Sequence, residues 1–230
     1  MSRGVFVTGT DTGVGKTLAA CALVHALRAR GLRVAPMKPV AAGAVSHLGA
    51  WANEDTLALA QAAGLDAPPL DAITPVLFRE AMAPHIAAAR EGRTISLAAL
   101  VEAHRRLADR ADFTVVEGVG GFRVPLGPTL DTVDLATALG LPVVLVVGLR
   151  LGCLNHALLT TESIRRAGLA LAGWVANAID PSMAAADENV AALVERLRAP
   201  LLGRIPFSRH SYARGFAEHI DVSPLIGEKA

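Results

Sequence analysis

Three observations predict an α/β fold in three layers around a mostly parallel central sheet. Short β-rich runs alternate with longer Ala/Leu-rich stretches of helical length. One run, Val143-Val144-Leu145-Val146-Val147, is continuously apolar at strand length, as suits a parallel strand covered on both faces. The first strand passes through a glycine-rich turn straight into a helix. With 52% apolar residues over 230 positions and a mean hydropathy of +0.42, the chain can bury a sizeable core. The length is read as a single domain over residues 1–230.

Taken in order, residues 4–8 (GVFVT) form the first strand. Residues 16–30 form a helix with Leu23 and Leu27 one turn apart, ended by Gly31. A second strand covers 32–37, and a helix over 53–63 closes at Gly64. Residues 65–85 are rich in Pro and Ala and are expected to be irregular. Ser96 is placed to N-cap a helix over 96–111. Then come a strand at 113–117 (FTVVE), the 143–147 strand, a helix over 153–167 and a strand at 171–176. A helix over 183–197 and a short strand at 201–205 complete the pattern. The uncharged stretch 135–149 is interrupted by Gly140 and Pro142 and falls short of the about 20 residues a spanning helix needs. It is read as a buried strand with its approach.

Charge and cysteine content exclude several classes. Lys plus Arg number 22 and Asp plus Glu 21, a balance that argues against a broad nucleic-acid surface. Two cysteines, Cys21 and Cys153, cannot build a disulfide scaffold and point to a reducing compartment. The start, Met1-Ser2-Arg3-Gly4, leads into the first strand without a signal-peptide apolar region. The expectation is a soluble cytoplasmic protein without a membrane or nucleic-acid partner.

The glycine-rich turn is Gly9-Thr10-Asp11-Thr12-Gly13-Val14-Gly15-Lys16-Thr17. Strand, glycine turn and helix N-terminus make a phosphate loop: backbone amides and the helix dipole favour an anion, and Lys16 reaches the β- and γ-phosphates. The Thr17 hydroxyl is placed to ligate Mg²⁺. The fold expectation therefore narrows to a P-loop NTPase-like one. The first glycine stands one place too early for the usual spacing. Glu117, at the carboxyl end of its strand and before Gly118-Val119-Gly120-Gly121, is a second candidate for the metal site.

These residues resemble the dethiobiotin synthetase family. The extended loop with its early glycine, Lys38-Pro39-Val40, Val116-Glu117-Gly118-Val119-Gly120-Gly121, Gly152-Cys153-Leu154-Asn155-His156-Ala157 and Gly173-Trp174-Val175-Ala176-Asn177 are similar to its motifs, in its order. The resemblance implies ATP- and Mg²⁺-dependent carboxylation of 7,8-diaminononanoate (7,8-diaminopelargonate) with CO₂ and closure of a ureido ring, a step of biotin biosynthesis. It implies that Lys16 and Lys38 act on the carbamate and phosphoryl oxygens. Thr17, Asp55 and Glu117 would hold magnesium, with Glu54 the local alternative to Asp55. ATP would be bound by Thr12, Gly13, Val14, Gly15, Lys16, Thr17 and Glu117, with Asn177, Pro206 and Phe207 near the base. Thr12, Lys38 and the backbone of Gly152, Cys153, Leu154 and Asn155 would meet the substrate. The last four are implied to act across a homodimer interface, with Leu149, Leu151 and Leu154 offering apolar surface for it. Ala42, Ala83 and Arg150 depart from residues found in the family, and the stretch 207–230 has no counterpart motif.

Two other readings compete. A switch ATPase of the partitioning or septum-positioning type carries a signature Lys where this chain has Asp11, and Leu225-Ile226-Gly227-Glu228-Lys229-Ala230 makes no amphipathic membrane helix. A cobyrinate amidation enzyme needs a glutaminase domain for which 230 residues leave no room.

Overall fold

The computed structural model describes residues 3–208 and 213–227. Met1, Ser2 and Glu228-Lys229-Ala230, singled out above, lie outside the described residues. In chain order the elements are β1 (Arg3–Gly9), α1 (Lys16–Ala29), β2 (Val34–Met37), β3 (Val40–Ala42), β4 (Val45–His47), β5 (Ala50–Ala52) and α2 (Glu54–Ala63). A 3₁₀ turn (Gly64–Asp66) leads to α3 (Leu70–Ile73), β6 (Val76–Phe78), α4 (Pro84–Arg90), α5 (Leu97–Ala108), β7 (Phe113–Glu117) and α6 (Thr132–Leu139). Then follow β8 (Val143–Leu149), α7 (Cys153–Arg166), β9 (Leu171–Ala178), α8 (Ala186–Leu197), β10 (Leu201–Ile205), a 3₁₀ helix (Ala213–His219) and α9 (Ser223–Ile226).

Six strands pair in the order β10-β9-β8-β1-β7-β2, every pair parallel, which is the predicted α/β arrangement. Successive side chains of a strand leave opposite faces, and the core divides accordingly. Val5 and Val7 of β1, with Val144 and Val146 of β8, pack under α1. Phe6 and Val116 face α5 and α6, and Leu145, Val147 and Trp174 face α7 and α8. All seven residues of β8 are buried, as a continuously apolar parallel strand requires.

Three expectations need correction. Residues 65–85 are not irregular: they hold α3, β6 and the start of α4, with β6 paired in parallel to β3. The uncharged 135–149 stretch is part helix, because α6 occupies Thr132–Leu139 before β8 begins. The helix expected from residue 183 starts at Ala186. The stretch 213–227, where no family motif falls, belongs to the fold. Its 3₁₀ helix packs on α1, Ile220 bridges Gly203 and the Asp221 N–H donates to the Leu202 carbonyl, so it covers the open edge of β10.

Because the sheet is parallel, all its strands end on one edge. Register then decides which ends meet: Val7 pairs with Glu117, and Met37 pairs with Val116. Lys38 and Glu117 are thereby delivered side by side next to the loop that leaves β1. A crevice outside the carboxyl ends of the strands is where open α/β sheets bind ligands.

Candidate nucleotide and metal site

The loop after β1 wraps around the start of α1. Gly15, the residue before the helix, has φ of +85°, and a Cβ there would lie 2.1 Å from the Asn177 amide nitrogen, so glycine is required twice over. Asn177 is buried beneath the loop at the end of β9 and donates from Nδ2 to the Val14 carbonyl at 2.9 Å. No side chain caps α1, which leaves its first amides free for an anion. Lys16 folds back over the loop and donates to the Asp11 carbonyl at 3.0 Å.

Four side chains, from Thr17, Lys38, Asp55 and Glu117, converge beside it. The Thr17 hydroxyl lies 2.8 Å from Asp55 Oδ1 and 2.9 Å from Glu117 Oε1. Lys38 Nζ lies 2.6 Å from Glu117 Oε1, 2.9 Å from Asp55 Oδ2 and 3.1 Å from the Gly118 carbonyl. Lys38 is only 3% exposed and Glu117 1%. Asp55 reaches the cluster from the first turn of α2, which Asn53 caps by accepting the Asp55 N–H. Glu54, the alternative acid, points to solvent.

The charges set each other's protonation. Burial disfavours the Lys38 ammonium, but Glu117 and Asp55 outweigh it, and its pKa stands above the ordinary lysine value. Burial also disfavours the Glu117 carboxylate, Asp55 adds repulsion, and Lys38 does not fully compensate, so the Glu117 carboxyl is pushed up. Asp55 resists its partial burial through Lys38 and Thr17 and is held below the usual carboxylate range. The split follows depth: Glu117 is fully buried and Asp55 only partly, while one directly paired ammonium serves both carboxylates. The uncompensated negative charge is felt most at the deeper one. Lys16, buried and near Lys38, is pushed down despite the attraction of Glu117, Asp55 and Asp11.

A divalent cation fits this arrangement. Thr17 has one hydroxyl proton for two carboxylate acceptors, and Glu117 Oε2 is buried without a hydrogen-bond partner. All three groups are hard oxygen donors. Among the described residues no group of three or more His, Cys, Asp or Glu gathers to form a metal cage. Two carboxylates and a hydroxyl leave positions for water and phosphate oxygens, which is how Mg²⁺ is usually held. Asp55→Asn and Glu117→Gln are each expected to raise the Mg²⁺ needed for half-maximal activity at least about tenfold, the low end of what losing even an outer partner costs a metal site. Glu54→Gln should leave it unchanged. Magnesium titration of turnover in the three variants checks this, and the reverse pattern would exchange the roles of Asp55 and Glu54.

The cluster forms one end of a cleft of about 720 Å³. Its other walls are mostly apolar or small, among them Ala41, Ala42, Met82, Ala83, Pro84 and Val124, with Asn53 the polar exception. Thr12 lies on its rim. Pro206 and the exposed Phe207 follow β10, whose Ile205 is paired with Asn177. The Gly152 segment opens α7 on the same sheet edge, after β8. Gly152 has φ of +93° and no side chain caps the helix. Cys153 is buried and its thiol has no place in the cleft. Leu149 is 1% exposed and packs inside, contrary to its expected contribution to an outer surface, whereas Leu151 is 95% exposed. Sequence reasoning missed one feature: Arg150 Nη2 donates to Asp11 Oδ2 at 2.6 Å, tying the loop to the end of β8. The signal available for it was an acid inside a phosphate loop, which calls for a counter-charge.

A parallel sheet with a glycine loop at its central strand, a lysine over that loop and a Thr–Asp–Glu group beside it define a P-loop nucleotide-binding domain. A family model described as an AAA domain matches residues 3–213, and the chain belongs to that family. Among solved structures, the septum site-determining protein MinD from Pyrococcus horikoshii OT3, complexed with Mg-ADP, is similar. Its TM-score is 0.58 at 21% identity, over 99% of this chain and 90% of that one. The Pyrococcus furiosus cell division ATPase MinD gives a TM-score of 0.55 at 21% identity, over 100% of this chain and 92% of that one. At these identities the likeness is one of fold. Among the described residues no helix is long and apolar enough to cross a membrane.

Proposed function

We propose that the chain is an ATP- and Mg²⁺-dependent synthetase of the dethiobiotin type. It would carboxylate 7,8-diaminononanoate with CO₂ and close the ureido ring, releasing ADP and phosphate. The observation that carries this reading is Lys38, buried where the phosphate loop meets a cleft with apolar walls. A switch that only hydrolyses ATP needs a water at the γ-phosphate. Its additional cation is the signature lysine inside the loop, and a strand-end lysine facing a substrate-sized cleft has no part in that pattern. A synthetase acting on an aliphatic diamine uses both.

In this mechanism one amine of the substrate adds to CO₂, loses a proton and becomes a carbamate. A carbamate oxygen takes the γ-phosphoryl group and ADP leaves. The second amine then attacks the carbonyl carbon, and phosphate departs with the C–O bond. Bound magnesium would draw charge from the phosphates. Lys16 and Lys38 supply positive charge where anionic oxygens crowd together, which stabilises the transition state more than the ground state. Thr17, Asp55 and Glu117 would hold the metal. Thr12, Gly13, Val14 and Gly15 would cradle phosphate, with Asn177, Pro206 and Phe207 toward the base.

The second reading, a switch ATPase of the septum-positioning type, is favoured by the named structural neighbours, which back it more directly than they back a synthetase. Against it stands Asp11, at the place of the signature lysine. ATP turnover with and without diaminononanoate and bicarbonate separates the two. A synthetase consumes ATP only with both, and yields a product whose mass reports gain of CO₂ and loss of water. Hydrolysis indifferent to the diamine supports the switch.

The substrate carboxylate would sit at the start of α7 in a second subunit, received by backbone amides of Gly152, Cys153, Leu154 and Asn155. The free helix start and the exposed Leu151, Leu158 and Leu159 support this homodimer. Mixing inactive Lys16→Ala with inactive Asn155→Trp and allowing subunit exchange should restore part of the activity. In a mixed dimer one site then carries both lesions and the other none. No recovery after proven exchange would place the whole site in one chain.

A further inference from the structure

We propose that Arg150 is a positioning residue for the nucleotide: it neutralises Asp11, so that a polyphosphate can bind a loop that contains a carboxylate. The inference rests on the nucleotide reading of the loop and is independent of which molecule receives the phosphoryl group.

Asp11 is fixed from three sides. Its Oδ1 accepts the Thr12 N–H at 2.7 Å, its Oδ2 accepts Arg150 Nη2 at 2.6 Å, and its backbone carbonyl accepts Lys16 Nζ at 3.0 Å. The carboxylate therefore cannot swing away from the loop without giving up contacts. Arg150 follows a strand that is itself held against the loop. The Thr10 N–H donates to the Val146 carbonyl at 3.0 Å, and a Cβ on Gly148 would come within 2.9 Å of the Val14 side chain, so the end of β8 abuts the loop. A carboxylate held in a phosphate loop repels the ligand the loop is built to bind. The guanidinium cancels that charge locally, and its fork suits a carboxylate partner.

The pair has two possible duties that predict opposite results. As a neutraliser, Arg150 matters only while Asp11 is charged. As a strut, it matters whether or not Asp11 is charged. Mg-ADP affinity of the full-length protein, measured by calorimetry at low and high salt, separates them. For a neutraliser, Arg150→Ala weakens binding roughly 5- to 10-fold at low salt, and the loss shrinks as salt screens the exposed carboxylate. Arg150→Lys keeps most of the affinity. The double variant Asp11→Asn, Arg150→Ala returns to within about twofold of the wild type, because asparagine keeps the acceptor for Thr12 and removes the charge. A double variant as weak as Arg150→Ala, or a loss insensitive to salt, overturns the proposal. Lys16→Ala, run alongside, reports on the loop itself: if it loses affinity while the Arg150 variants do not, the neutralising role fails and the nucleotide reading stands.

Discussion

Lys16→Ala is expected to lower turnover about 10²- to 10³-fold, the usual consequence of losing a donor to charge that develops in the transition state. The same change should leave the melting temperature unchanged or slightly raised. Lys16 is buried, yet among the described residues it has no carboxylate within ion-pair distance and holds only the Asp11 carbonyl. Burial lowers its pKa, so the folded state disfavours the charged form. At neutral pH, well below its ordinary value of 10.5, that charge opposes folding, and removing it relieves the opposition. An unpaired buried cation persists when function needs it. Turnover and thermal unfolding measured on one preparation give the check. Wild-type turnover in Lys16→Ala would remove the phosphate-loop assignment, and a large drop in melting temperature would show that Lys16 is structural.

The phosphate loop was legible because its signal is local: a strand, a glycine turn and a helix in succession. Lys38 and Glu117 were legible as strand-end charges, but their meeting was not. It depends on β2 and β1 flanking β7 with Met37 opposite Val116 and Val7 opposite Glu117, which is long-range information. Elements in the Pro- and Ala-rich stretch escaped notice for a related reason. α3 has four residues and β6 three, too short for a periodic pattern, and β6 exists because β3 pairs with it. α6 carries a local signal of its own. Asp131 and Asp134 form a reciprocal capping box at its start, an acidic version of the usual Ser/Thr and Glu pattern. The Asp11–Arg150 contact joins positions far apart in sequence and could be reached only by asking what balances an acid beside phosphate. Asn177 was expected at the base. One of its amide protons also serves the loop backbone, a use that no strand-end motif announces.

Lys38→Ala should behave oppositely to Lys16→Ala in stability while losing turnover just as severely. Lys38 is the direct partner of both Glu117 and Asp55, and its raised pKa means that the folded state favours the ammonium. That contribution is fully present below the ordinary lysine value of 10.5 and is lost only as pH climbs through the higher folded value, so the whole effect is available at neutral pH. Truncation leaves Glu117 buried with an uncompensated charge. Breaking a buried pair in this way costs about 3–5 kcal/mol, which for a chain of this size lowers the melting temperature by on the order of 10 °C. Two further measurements separate charge from packing. The double variant Lys38→Met, Glu117→Gln fills similar volume without either charge and should regain most of the lost stability, because replacing both partners of a buried pair is often neutral. It should regain no turnover, since the cation facing the cleft is still missing. Added Mg²⁺ should raise the melting temperature of Lys38→Ala more than that of the wild type, since it supplies positive charge to the same carboxylates. A Lys38→Ala protein as stable as the wild type, with no extra response to magnesium, would mean that water reaches Glu117 and that the buried ion cluster does not hold this end of the cleft together.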